Sequence, residues 1–177
     1  VIPDPLNPRY SYAGGKIISE LLLINYGRKY FERAVIFRPH NVYGPEMGME
    51  HVIPQFILRM KKLANNKSRL IKFPIQGTGK ETRTFVYIDD FTSGLMTLID
   101  RGKHMQIYNI GTSEEVQIKT VAEMVADYFK KQIIIVPGEL AKGGTLRRLP
   151  DISKIRKLGY VPKVKLADGI IKTARWY

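Results

Sequence analysis

The sequence predicts an α/β protein, and two observations carry that prediction. Short β-branched apolar runs alternate with longer stretches of helical periodicity along the whole chain. Between them fall clusters of Gly, Pro, Asp and Asn, the residues that turn or stop a backbone. Residues 1–10 hold three prolines and an Asn-Pro step, which forbid regular structure and read as an extended loop. Over 11–31 a helix is predicted. Ile17, Leu21 and Ile24 recur at spacings of three and four, and Ile18 and Leu22 widen the stripe. Gly14 and Gly15 are poor helix formers in its first turns, so close packing or the approach of a ligand is the reason expected for them.

Residues 34–38 (AVIFR) read as a buried strand closed by Pro39. A loop follows, then a helix over 51–64 that tolerates Pro54 in its first turn. Further strands are predicted at 70–74, 82–88, 107–110 and 132–136, with a turn at 77–80. Asp89 or Asp90 is expected to cap a helix running to about residue 101. An amphipathic helix lies within 116–130, a short one over 151–158 starts on Asp151 and stops at Gly159, and a last one covers 166–177. One domain boundary is expected near Gly44-Pro45, dividing the chain into residues 1–45 and 46–177.

Composition narrows the function classes. With no cysteine, disulfides, thiolate chemistry and Cys-based metal sites are excluded. His51 and His104 show no ligand spacing, and no metal is predicted. No apolar stretch approaches the ~20 residues needed to cross a bilayer, and no signal peptide is visible, so a cytoplasmic protein without a membrane partner is expected. The charge of +13 comes from 29 basic and 16 acidic residues. The basic residues are scattered, with no run of five and no nucleic-acid-binding motif. An anionic small substrate, or an acidic segment elsewhere in the protein, accounts for the charge as well as nucleic acid does. A basic nucleic-acid-binding module is kept as an alternative, but the site residues below argue for no nucleic acid.

Two local patterns carry chemistry. In Tyr12-Ala-Gly-Gly-Lys16 the phenol and ammonium share one helix face. A positive neighbour favours phenolate, and such a phenol can move protons at a carbinol or carbonyl oxygen. Taken alone, the pentapeptide equally suits a solvated helix face. In Arg38-Pro-His-Asn-Val-Tyr-Gly-Pro45 the residues follow a buried strand, and ligands of open α/β sheets bind beyond the carboxyl ends of strands. Asn41 offers a donor and an acceptor there. A plain structural turn explains the same residues.

Taken together, these patterns resemble the extended short-chain dehydrogenase/reductase family of nucleotide-sugar epimerases and dehydratases. Further matches follow in the family's order: Glu50-His-Val-Ile-Pro54, then Gly77-Thr-Gly-Lys-Glu-Thr-Arg-Thr-Phe-Val-Tyr-Ile-Asp-Asp90, then Tyr108-Asn-Ile-Gly111. Arg147-Arg-Leu-Pro-Asp-Ile-Ser-Lys154, Leu158-Gly-Tyr-Val-Pro162 and the closing Trp176-Tyr177 complete the set. The resemblance implies NAD, or NADP, as cofactor and a nucleotide-diphosphate sugar as substrate, processed through a 4-keto intermediate. It implies Tyr12 as acid/base, Lys16 as the cation favouring its phenolate and holding the nicotinamide ribose, and Pro39 and His40 near the nicotinamide. Asn41, His51 and Val52 would contact the substrate. Arg83 and Arg147 would neutralise the pyrophosphate, and Asn109 would hold the nucleotide or position Arg83. For Arg148 a solvated cation and a ligand contact are weighed equally, and Asp90 is expected as a helix cap.

The family's Gly-rich cofactor fingerprint, its catalytic Ser or Thr and its ribose-reading acid do not occur in these 177 residues. The expectation is therefore the C-terminal remnant of a doubly wound Rossmann sheet (1–45) plus a small α/β substrate-binding domain (46–177). Such a fragment is expected to be inactive alone, to bind nucleotide sugar without turning it over as one alternative, and to be homodimeric in the full-length protein.

Overall fold

A computed structural model describes residues 6, 8–65, 67–140 and 144–177. The element order is α1 (Pro8–Tyr30), β1 (Val35–Pro39), β2 (Val42–Tyr43), α2 (Val52–Leu63), β3 (Leu70–Ile75), β4 (Thr82–Arg83) and β5 (Val86–Tyr87). It continues with α3 (Ile88–Arg101), β6 (Gln106–Ile110), β7 (Val116–Gln117), α4 (Ile118–Tyr128), β8 (Gln132–Pro137), α5 (Ser153–Arg156) and α6 (Leu166–Trp176). Three of the four strand pairings are parallel: β1 with β6, β2 with β5 and β3 with β8. The fourth, β4 with β7, is antiparallel. The α/β class predicted from alternation is what the chain forms.

Two apolar cores hold the elements. The larger gathers Ile53, Phe56, Ile57 and Met60 of α2, Ile71, Phe73 and Ile75 of β3, Val121 and Val125 of α4, and Ile170 of α6. The alternation of β3 explains its part: Ile71, Phe73 and Ile75 point inward while Leu70, Lys72 and Pro74 face out. The smaller core gathers Leu98 of α3, Tyr108 and Ile110 of β6, Ile155 of α5, and Ile152 and Tyr160, with Val35 of β1 packed against it. A single cut at residue 45 does not follow this packing. β6 lies far beyond that point in sequence yet pairs with β1 in register, from Val35 with Gln106 to Pro39 with Ile110. The segment from α3 to β6 thus returns to the unit that begins the chain.

Local differences from the sequence reading have physical causes. The strand predicted over 82–88 is two short strands, because the carbonyls between them bond side chains instead of a ladder. Asn41 Nδ2 donates to Thr84 O at 2.7 Å, and Thr112 Oγ1 donates to Phe85 O at 3.3 Å. Asp90 does not cap α3, whose cap position is Tyr87. Asp90 is instead buried and accepts the amides of Lys163 and Val164, at 2.9 and 2.8 Å, tying α3 to the segment that leads into α6. Asp151 lies one residue before the cap of α5 and accepts the Ser153 amide at 2.8 Å. Gly159 follows with φ +97°, the left-handed stop expected of it.

The apolar stripe read on α1 does not face either core. Ile17, Ile18, Leu21 and Leu22 are each more than half exposed. α1 meets β1 through Glu20, which pairs with Arg38, and farther along it approaches Ala34 and Met105 at Gly27. At Gly27 a side chain would meet Ala34 Cβ and Met105 Sδ at 3.0 Å, tighter than such contacts usually are, so glycine suits this close approach. Gly14 and Gly15 have nothing within 4 Å of an added Cβ, so packing among the described residues does not explain them.

Candidate active site

The site is built where β1 ends and the chain turns. Pro39 closes the strand, and Asn41 adopts φ +44°, a left-handed conformation that Asn tolerates better than most residues. Its side-chain amide holds Thr84 O and its carbonyl accepts the Val86 amide at 3.2 Å, so the turn is locked against β5. The parallel pair β2–β5 continues from it and places Tyr43 and Phe85 edge to face in the larger core. A cavity of about 780 Å³ opens here. Tyr12, Pro39, Asn41, His51, Val52 and Arg148 are among its lining residues, with Glu46 at its rim and Tyr43 and Phe85 in its apolar wall.

The structure thus brings together five residues singled out from the sequence: Tyr12, Pro39, Asn41, His51 and Val52. Lys16 lies outside the lining, one turn along α1, with its Nζ 5.3 Å from the centroid of the Tyr12 ring. Tyr12 is 72% exposed, so both polar groups of the pair are open to a ligand. His51 stands at the start of α2, where the helix's unpaired amides concentrate partial positive charge.

Four other expected residues are held by contacts within the chain. Asn109 bridges His40 and Asp151. Its Oδ1 lies 3.1 Å from His40 Nε2, and its Nδ2 donates to Asp151 O at 2.9 Å. His40 is further pinned by its amide on Ile110 O at 3.0 Å and packs over Gly111, where an added Cβ would meet His40 Cβ at 3.2 Å. Neither His40 nor Asn109 is among the cavity-lining residues, although His40 lies between Pro39 and Asn41, which are. Arg83 spends its fork on backbone carbonyls, donating to Thr82 O at 2.6 Å, Thr145 O at 2.7 Å and Leu146 O at 3.3 Å.

Arg147 is turned away from the cavity. Its Nε and terminal nitrogen meet the two oxygens of Glu115 at 2.8 and 2.9 Å, a bidentate pair. Thr82 Oγ1 donates to the same carboxylate at 2.5 Å. The Arg147 guanidinium, then the Thr82 hydroxyl, hold the Glu115 carboxyl down at about 2. The neighbour Arg148 faces the cavity instead. The reason is strand geometry: Thr82 donates to Leu146 O and accepts from the Arg148 amide, so 146–148 runs extended beside β4. Successive side chains of an extended segment point to opposite sides. Arg147 goes to Glu115 and Arg148 to the cavity, where its Nε donates to Thr145 Oγ1 at 2.7 Å. Arg148, which the sequence left evenly weighed between a solvated cation and a ligand contact, is thus among the cavity-lining residues, and the three-residue interval to Asp151 in R-x-x-D is counted from it.

Among the described residues no group of three or more His, Asp or Glu is placed to hold a metal, and no helix is long and apolar enough to cross a membrane. The polar groups lining the cavity thus include a phenol, an amide, an imidazole, a guanidinium and the Glu46 carboxylate, with the Lys16 ammonium beside the phenol just outside it. Such a set can move a proton at an oxygen and neutralise an anion.

Residues 2–111 match the model of the NAD dependent epimerase/dehydratase family. A probable GDP-L-fucose synthase from Oryza sativa subsp. japonica is 32% identical over 183 residues, spanning 100% of this chain and 55% of that protein. Human dTDP-D-glucose 4,6-dehydratase is 33% identical over 181 residues, spanning 98% of this chain and 50% of the enzyme. Among solved structures, the dTDP-glucose 4,6-dehydratase DesIV of Streptomyces venezuelae, crystallised with NAD and TYD, superposes with a TM-score of 0.79 at 32% identity, over 94% of this chain and 50% of that one. UDP-glucuronic acid 4-epimerase from Bacillus cereus, in complex with UDP-glucuronic acid and NAD, gives a TM-score of 0.84 at 27% identity, over 99% of this chain and 54% of that one. The chain spans about half the length of the relatives it matches. Because its residues 2–111 match that family model, the chain belongs to the NAD dependent epimerase/dehydratase family.

Proposed function

We propose that this chain supplies the proton-moving and substrate-holding part of an NAD-dependent epimerase or dehydratase that acts on a nucleotide-diphosphate sugar through a 4-keto intermediate. One observation carries the reading: Tyr12, with Lys16 against its ring, shares one cavity with Asn41, His51 and Arg148. The residues fit one end of a dinucleotide. A hydroxyl and an ammonium one helical turn apart stand exposed beside Pro39 and would take the nicotinamide ribose. NAD, when bound, supplies reversible two-electron oxidation at the sugar carbon. Tyr12 takes the proton of the sugar hydroxyl as that carbon becomes a ketone, and returns it when the ketone is reduced. Lys16 favours the phenolate that makes this possible.

The substrate would enter with its sugar toward Tyr12 and Asn41. Its diphosphate would lie toward Arg148, whose planar fork suits phosphate oxygens. His51 and Val52, at the first turn of α2, would meet the nucleotide. Arg83 and Arg147 support this arrangement indirectly by bracing the 145–148 strap. Dimerisation belongs to the same reading: Ile17, Ile18, Leu21, Leu22 and Tyr26 form an exposed apolar face on α1 that a second copy would cover.

The test is calorimetric titration of UDP-, dTDP-, GDP- and CDP-sugars into the chain, with and without NAD, alongside Tyr12→Phe and Arg148→Ala. A saturable interaction with one nucleotide sugar, weakened by Arg148→Ala and retained in Tyr12→Phe, supports the reading. Absence of binding to all four, in both the presence and the absence of NAD, overturns it.

A further inference from the structure

Lys16 stands between two possible partners. Four residues before it is Tyr12, whose ring its ammonium covers at 5.3 Å. Four residues after it is Glu20, equally close along the helix face. A lysine and a glutamate at this spacing attract one another, and that attraction is of the same small order as an exposed cation–π contact. An unengaged Glu20 would therefore compete with the ring for the Lys16 ammonium, even in this weaker Lys-before-Glu order. Arg38 reaches across to Glu20, its Nε donating to Oε1 and its terminal nitrogen to Oε2, both at 2.7 Å. Both carboxylate oxygens are thereby engaged, and the hydrogen bonds from Arg38 hold the Glu20 carboxyl below its ordinary range.

We infer that Glu20 and Arg38 are positioning residues: by engaging Glu20, Arg38 keeps it from drawing Lys16 away from Tyr12. The pair also ties α1 to the strand whose end carries Pro39 and Asn41. Catalytic helix and ligand-binding turn are therefore set together with the Lys16–Tyr12 contact. Three observations converge. Tyr12, Lys16 and Glu20 lie one turn apart on one face of α1. Gly27 farther along this face is the one buried residue among the described side-chain positions of α1, so apolar packing contributes little to the helix's orientation. And Arg38 sits next to Pro39, a residue of the cavity lining. The importance of the pair for catalysis rests on the proposed function; the geometry of Lys16 does not.

The inference makes the two partners of one ion pair unequal, which a purely structural tie would not. The readout is the ring-current upfield shift of the Lys16 ε-methylene protons in lysine-labelled protein. Lys16→Arg identifies the signal and Tyr12→Leu sets its zero. Arg38→Met frees Glu20 and should reduce the upfield shift by roughly half, the division expected between two ties of similar strength. Glu20→Gln should leave the shift intact, because no competing anion remains. The double variant Glu20→Gln/Arg38→Met should restore what Arg38→Met lost. Arg38→Gln, which keeps reach and a donor without charge, replaces Arg38→Met if that variant fails to fold. An unchanged shift in every variant, or an equal loss in both single variants that the double variant does not recover, overturns the inference. Those outcomes leave the nucleotide-sugar titrations untouched. Failure of those titrations, in turn, leaves the lysine signal where it is.

Discussion

Asp90→Ala separates two readings of one residue. From the sequence, Asp90 is a helix cap; in the structure its two oxygens accept the amides of Lys163 and Val164 at 2.9 and 2.8 Å. A first-turn carboxylate that only complements the helix dipole is worth about 0.3–1 kcal/mol. Two hydrogen bonds to a charged acceptor are worth about 1.5–3 kcal/mol each. Asp90 is only 4% exposed, so water does not replace it freely. Both amides lie on a partly exposed segment, however, so the lower end of that range applies and the loss comes to about 3–4 kcal/mol. At about 2–4 °C per kcal/mol for a chain of this size, Tm should fall by about 6–16 °C. Asp90→Asn, which keeps one good acceptor, should lose about half as much. Asp89→Ala, in the same helical turn but exposed, is the internal control and should cost under about 1 kcal/mol. Calorimetry and urea unfolding at one pH measure all three. If Asp90→Ala falls within about 1 kcal/mol of Asp89→Ala, the tie between α3 and the 163–164 segment is not what makes the residue matter.

Three further outcomes follow from the same contacts. Arg148→Ala should weaken nucleotide-sugar affinity by about 10–100-fold, the loss of a charge-assisted contact, whereas Arg147→Ala should weaken it by less than about tenfold through a looser strap; equal losses in titration would remove the distinction drawn between them. The Glu115 clasp should be sensitive to acid. The folded-state carboxyl lies near 2, below its ordinary 4.5, so its contribution is complete above about 4.5 and is lost as pH falls toward 2. Amide resonances of Leu146 and Arg148 in wild type should shift over that window, and in Glu115→Gln they should not. Ile57→Ala empties a fully buried position between α2 and the rest of the larger core and should cost about 2–5 kcal/mol in urea unfolding, with cofactor-independent loss of all ligand binding near the midpoint.

Local chemistry made much of this protein legible before its tertiary structure. Periodicity and β-branched runs placed α2, α4, α6, β1, β3, β6 and β8 to within a residue or two; α2, α4, α6 and β3 carry a buried face that repeats at its own period. The Tyr12–Lys16 contact was readable as well, since i and i+4 on a helix are neighbours whatever the surroundings. So was the turn after β1, where Asn and Pro restrict the backbone locally. Other features depend on segments distant in sequence. Asp90 looks like a cap until residues 163–164 arrive to donate to it. The boundary near residue 45 looks sound until β6 pairs with β1 across some seventy residues. Which of two adjacent arginines faces the cavity is decided by the pairing of 146–148 with Thr82, since a one-residue change of register would exchange their sides. Spacing along the chain thus determined which side chains could act together, and the long-range hydrogen bonds decided which of them reach the cavity, because side-chain direction in an extended segment is inherited from its partner strand.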